Sequence, residues 1–209
     1  MFSLHQLFGK GDRFHQLLES AAQEAYESVR LTIEIIKSPR DTAKLDELVL
    51  ARRKEKKISE QISEELVKTF VTGLEREDIE ALARGLYKIP KTAEKVAERF
   101  LIATPHLGGL DFNRQSEMMS KATDVVLEMI KQLRSMKDLE KIKGLNDRLQ
   151  YVEGEADKLM NELLRELYSG QFDALRAIVL RDLYELMEKV IDRCRDVGNV
   201  VMHIVLKNS

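Results

Sequence analysis

Cysteine is almost missing: the 209 residues contain 1, Cys194. A disulfide framework and a cysteine-rich zinc site are therefore both ruled out, while a reducing compartment is allowed. Cys194 reads as a small buried side chain rather than a nucleophile. Breakers are scarce as well, with 3 Pro and 10 Gly, which disfavours an all-β chain rich in turns. A hydrophobic share of 44% disfavours disorder. No stretch approaches the length of a membrane span. The N-terminal run Met1-Phe2-Ser3-Leu4-His5-Gln6-Leu7-Phe8 is apolar but short, and Lys10, Asp12 and Arg13 follow it closely, unlike a signal-peptide core. The expected location is the cytoplasm, which includes a peripheral position on the inner face of the membrane. Charge of one sign is lacking too: the formal net charge is −2, so no global basic field recruits nucleic acid, and none is expected as a partner.

What the chain has in quantity is charge of both signs, 33% of residues, as long amphipathic helices require. Apolar positions recur at helical spacing. The first helix is expected from about Arg13 to Lys37, through Leu17, Leu18, Ala21, Ala25, Val29, Ile33 and Ile36, and ends at Ser38-Pro39-Arg40-Asp41 because proline disfavours a helical residue before it. The second is expected from about Thr42 to Val71, closed by Thr72-Gly73. The third opens at Glu75-Arg76-Glu77-Asp78, with acids where the helix dipole favours them, and carries Pro90, where a kink is expected. Thr104-Pro105-His106-Leu107-Gly108-Gly109 divides the chain. A fourth helix follows from about Asn113 to Ser135, a fifth from a start between Asp138 and Asn146 to Tyr168, and a sixth from about Phe172 to Leu206. Short breaks imply antiparallel neighbours. The expected fold is all-α, two three-helix bundles side by side, residues 1–104 and 105–209. A weak internal repeat lays Asp78, Ile79, Leu82 and Leu86 over Asp182, Leu183, Leu186 and Val190.

The candidate chemistry lies in paired carboxylates. Glu153 and Asp157 sit four apart in the fifth helix, Glu188 and Asp192 four apart in the sixth, and Asp196 one turn beyond. Residues four apart share a helix face, and two carboxylates there repel by a few tenths of a kcal/mol unless a positive charge intervenes. Two such helices side by side would gather four or five carboxylates, whose oxygens suit hard multivalent cations. Glu153 and Asp157 flank the stripe Leu149, Val152, Ala156 and Leu163, where a neighbouring helix would meet them. Glu185, Glu188, Asp192, Asp196, Asn199 and His203 form a polar stripe opposite Leu183, Met187, Cys194, Val197 and Val201, so a site there is expected near the surface. The alternative is a solvated acidic face, neutralised without metal by Arg181 and Arg195. No Glu-x-x-His pair supports a ferritin-type centre, and His203 is isolated. The basic run Arg52-Arg53-Lys54-Glu55-Lys56-Lys57 reads as a solvated helix face or as a docking patch for an acidic partner or an anionic membrane surface.

Three segments carry a resemblance. Arg76-Glu77-Asp78-Ile79-Glu80-Ala81-Leu82, Glu153-Gly154-Glu155-Ala156-Asp157 and the stretch from Leu186 through Asp192-Arg193-Cys194-Arg195-Asp196-Val197-Gly198-Asn199 resemble the "REDI-x-x-L", "LE-x-EAD" and "LLE-x-x-x-DRC-x-DVAN" segments of the PhoU-like proteins. They are most similar to the divergent branch known as Pit accessory proteins or phosphate transport regulators. The resemblance spans most of the chain. It implies two three-helix bundles, surface clusters of metal ions, often iron, held by Glu/Asp-x-x-x-Asp motifs, and a part in controlling phosphate uptake beside a permease. The first half departs from that pattern. Under the internal repeat, Glu188, Asp192 and Asp196 fall on Arg84, Lys88 and Thr92, and a protonated lysine cannot ligate a metal.

The function expected from this resemblance is that of a non-enzymatic regulatory accessory protein of phosphate transport. Its expected partner is a phosphate permease or phosphate-sensing protein at the cytoplasmic membrane face, and homo-oligomers are left open. Iron, Mg, Mn or Ca would sit among Glu153, Asp157, Glu188, Asp192 and Asp196, with no catalytic residue assigned. The alternatives are a metal-free helical scaffold and a metal-dependent phosphoesterase, the latter lacking any evident nucleophile, glycine-rich phosphate cradle or general base.

Overall fold

Six α-helices make up the fold, in a computed structural model that describes residues 4–39, 43–134 and 138–209, with side chains from Arg13 onward. They are α1 (Leu4–Lys37), α2 (Ala43–Lys68), α3 (Arg76–Ala103), α4 (Asn113–Gln132), α5 (Leu139–Leu167) and α6 (Ala174–Lys207). No strand occurs among the described residues, so the all-α expectation holds. The turn residues Arg40 and Asp41, the start at Thr42 and the end at Ser135 lie outside the described residues.

The helix ends follow local chemistry. Asp138 accepts a hydrogen bond from the Lys141 amide at 3.0 Å, and Asp173 one from the Arg176 amide at 3.0 Å. Each is an N-cap that satisfies an amide without an intrahelical partner, and the first places the start of α5, which periodicity had left open. Gly170 takes φ +90° after α5, the left-handed conformation that favours glycine. The second helix stops at Lys68, well before the expected Thr72-Gly73. Arg76 donates to the carbonyls of Leu66 and Thr69, so a side chain from the next helix, rather than a glycine, satisfies the last turn. The first helix begins earlier than expected, at Leu4. α3 runs unbroken through a buried Pro90.

Helices α1, α2 and α3 pack against one another, as do α4, α5 and α6. The two bundles join along α3 against α6 and α1 against α4. One apolar core crosses both, including Leu82 and Leu86 on α3, Met119 and Met129 on α4, and Met187 and Val197 on α6. A smaller cluster of Leu31, Ile35, Leu48, Ala51 and Ala97 lies in the N-terminal bundle. The seam between bundles is tight: a Cβ on Gly85 would lie 2.9 Å from Val197 Cγ2. Among the described residues no helix is long and apolar enough to cross a membrane.

Candidate functional site

The α5/α6 face carries the acidic pairs, and packing divides them more finely than the helical wheel. Leu149, Val152 and Ala156 on α5 are buried, as are Met187, Val190, Ile191 and Cys194 on α6. These stripes press the helices together and draw the flanking carboxylates toward the seam. The side chain of Glu153 is only 19% exposed and that of Asp192 28%, whereas Asp157 is exposed and Asp196 keeps 46%. Glu188 is half-buried, at the edge of a crevice lined by Met118, Ala156, Met160, Tyr184 and Ile191. That crevice leaves about 10 Å³, no more than the space one water needs. The stripe is thus not uniformly open to solvent: its middle is drawn into the α4–α6 contact, while Glu185, Asn199 and His203 are exposed.

Burial pushes the Glu188 carboxyl up to about 7, and Asp192, Asp157 and Glu153 push the same way while Lys189 opposes them. The fold has therefore brought these four carboxylates within electrostatic reach of one another. The positive charge among them is an arginine. Arg195 lies 3.1 Å from Glu153 across the helix pair, 4.0 Å from Asp192 and 3.9 Å from Asp196. Asp196 is also bonded by Arg193 at 3.1 Å. Arg181 pairs with Asp182 at 2.7 Å and reaches Glu185 at 3.7 Å.

This arrangement bears on the metal expectation. Among the described residues no three His, Cys, Asp or Glu side chains converge as a ligand set. A metal needs its donors turned to one point at coordination distance, but here Glu153, Asp192 and Asp196 turn toward a guanidinium, a fork suited to several carboxylate oxygens. As arranged, the residues do not fit a metal cluster. Cys194 lies wholly in the core, where burial raises its thiol pKa and keeps it from acting as a thiolate.

The basic run on α2 is not one surface. Arg53, Lys54, Lys56 and Lys57 are exposed. Arg52 turns toward α3, where it pairs with Glu94 and faces Tyr87. Lys54 lies 4.0 Å from Glu24 of α1, and Glu55 is fully buried. Sequence reasoning passed over Glu55, although its spacing from Leu48, Ala51 and Ile62 puts it in the core stripe.

The segments that carry the resemblance also have structural roles. Arg76 caps α2, and Asp78 accepts from Lys207 of α6 at 3.0 Å. Ile79 is fully buried.

No family model matches the chain. Over 148 residues, 69% of this chain and 70% of the relative, it is 27% identical to the UPF0111 protein YkaA of Bacillus subtilis (strain 168). It is 21% identical over 207 residues, 97% of each chain, to a protein of Rhizobium meliloti (strain 1021) named "Putative pit accessory protein". Among solved structures, a PhoU-like protein from Shewanella oneidensis MR-1 superposes with a TM-score of 0.79 at 14% identity, covering 92% of this chain and 99% of that one. A second PhoU-like protein of that organism gives 0.72 at 16% identity, over 93% and 99%. The six-helix all-α fold of this chain is therefore the fold of these PhoU-like structures, as the resemblance of its motifs implied.

Proposed function

We propose that the chain is a non-enzymatic regulatory accessory protein of phosphate transport, acting on a phosphate permease or phosphate sensor at the cytoplasmic face of the membrane. The observation that carries this reading is the likeness, over 97% of both chains, to a protein named for an accessory role to Pit, together with the fold shared with PhoU-like proteins. The α5/α6 face supports a regulatory rather than a hydrolytic role. Glu153, Asp192 and Asp196 are paired with Arg195 and Arg193, and none is poised beside a nucleophile as acid–base chemistry requires.

A multivalent cation, whether iron, Mg, Mn or Ca, would have to compete with Arg195 for Glu153, Asp192 and Asp196, with Asp157 and Glu188 alongside. The site as folded supports charge compensation by arginine. Elemental analysis of protein purified without chelator, with Asp157→Ala and Asp192→Ala as controls, tests the cation reading.

The regulatory reading is tested by deleting the gene and measuring phosphate uptake, and by capturing the full-length protein from solubilised membranes. Altered uptake together with a co-purifying phosphate permease is expected. Unchanged uptake with no permease recovered would overturn it.

A further inference from the structure

A carboxylic acid lies where the N-terminal bundle should be hydrocarbon. On α2 the buried positions run Leu48, Ala51, Glu55, Ile62 and Leu66, one stripe at helical spacing. Glu55 occupies the middle of it at 0% exposure, and neither carboxylate oxygen has a hydrogen-bond partner. It falls between two apolar groups: Leu48 and Ala51 belong to the cluster with Leu31, Ile35 and Ala97, while Ile62 and Leu66 belong to the large core. Large, solvated side chains occupy the neighbouring positions Lys54, Lys56 and Lys57, so the burial belongs to position 55 itself.

The charges around it do not neutralise it. From α1, Glu24 faces it and adds like-sign repulsion. Lys54, on its own helix, is directed at Glu24 from 4.0 Å. From α3, Glu94 and Tyr87 are both engaged by Arg52. Ser28 on α1 donates to the Glu24 carbonyl, and Thr32 to the carbonyls of Ser28 and Ala93. An ionised carboxylate without a partner in such a place is strongly disfavoured, whereas the neutral acid is tolerated.

We propose that Glu55 is a proton-binding position at the α1/α2 seam: it is carried as the neutral acid while α2 is packed against α1, and loss of its proton to solvent loosens α2 from α1. This does not rest on the phosphate-transport reading. Burial first, and Glu24 second, push its carboxyl up to about 8. The direction of the pH effect follows. The unfolded chain releases this proton near the ordinary value of 4.5 and the folded chain near 8. Between those values the folded state holds the extra proton, so stability is full below about 4.5, falls as pH rises through that window and levels off above about 8.

The test compares wild type with Glu55→Gln, which keeps the shape and cannot ionise, and with Glu55→Met, which restores the apolar stripe. Thermal melts from about pH 5 to pH 9 should show each variant's advantage over wild type near its smallest at pH 5 and growing to several degrees by pH 8. Hydrogen exchange, corrected for intrinsic rates, should quicken across residues 43–68 of the wild type over the same rise and not in Glu55→Gln. Carbon-13 NMR of the glutamate carboxyls should show, besides Glu188 near 7, one wild-type resonance titrating near 8 that is missing from Glu55→Gln. Parallel pH profiles for wild type and both variants, or elevated glutamate resonances that are all still present in Glu55→Gln, would overturn the proposal. So would recovery of wild-type stability at high pH on adding Mg²⁺ or Ca²⁺, absent in Glu55→Gln, which would make Glu55 a cation ligand instead.

Discussion

Arg195 on α6 holds Glu153 on α5 at 3.1 Å, and the same guanidinium faces Asp192 and Asp196 on its own helix. One side chain therefore offsets repulsion within a helix and across a helix pair. Replacing it with Gln removes the charge and keeps much of the bulk. Glu153 is largely covered, so the loss should exceed that of an ordinary surface pair. With Arg195 still 38% exposed, solvent screening holds the cost to about 1 kcal/mol. The deficit in urea melts should shrink as salt is raised, since these charges are partly screened. The same substitution tests competition with a cation. If metal and guanidinium contend for one place, Arg195→Gln should bind Mn²⁺ or Ca²⁺ more tightly than wild type in calorimetry, and Asp192→Ala less. Equal, negligible binding by all three would leave side-chain cations, Arg195 foremost, as the counter-charge of this face.

Close helix packing, between the bundles at Gly85 and within the C-terminal bundle at Gly198, supplies a second prediction. Alanine gains about 1 kcal/mol of helix propensity over glycine, while overpacking costs about 1–3 kcal/mol. At Gly85 the new methyl would meet Val197 Cγ2 at 2.9 Å, on a β-branched side chain stiff about χ1. At Gly198 it would meet Leu149 Cδ2 at 2.6 Å, the far end of a longer side chain, with Asn146 Oδ1 at 3.3 Å. Gly198 also stands where the resembled PhoU-like segment carries alanine. Gly85→Ala should therefore lose about 1–2 kcal/mol in denaturant melts, once overpacking has outweighed propensity. Gly198→Ala should stay within about 1 kcal/mol of wild type. The reverse order would show that Val197 yields more readily than Leu149.

The helices were legible because stripes such as Leu82, Leu86, Ile89 and Val96 record a burial that periodicity alone reveals. The acidic pairs were legible as faces, since spacing fixes which residues share a turn. Their partners were less so. That Arg195 reaches Glu153 depends on the register of α5 against α6, which neither helix's sequence contains. The Lys68 terminus of α2 was missed for a similar reason, because its carbonyls are satisfied by Arg76 from eight residues on. Glu55 was hidden by its neighbours: in a run of lysines and arginines a glutamate reads as another solvated charge, although its phase on the helix placed it in the core.

The ion pair between α3 and α6 gives the last prediction. Lys207 Nζ lies 3.0 Å from Asp78 and also pairs with Glu75. The two acids are not equivalent. Glu75 is 60% exposed and Asp78 only 9% at the side chain, so water replaces the ammonium at Glu75 but hardly at Asp78. Lys207→Ala should therefore leave a buried carboxylate without its counter-charge, costing about 1–3 kcal/mol. Asp78→Asn leaves the ammonium close to solvent, with Glu75 still beside it, and should cost less. In the double variant the neutral amide no longer needs a cation, so much of the Lys207→Ala loss should be recovered. Measured by urea unfolding of all four proteins, this cycle should give an interaction energy of about 1 kcal/mol or more. A Lys207→Ala protein as stable as wild type would show that Asp78 is solvated, and that apolar packing alone joins α3 to the end of α6.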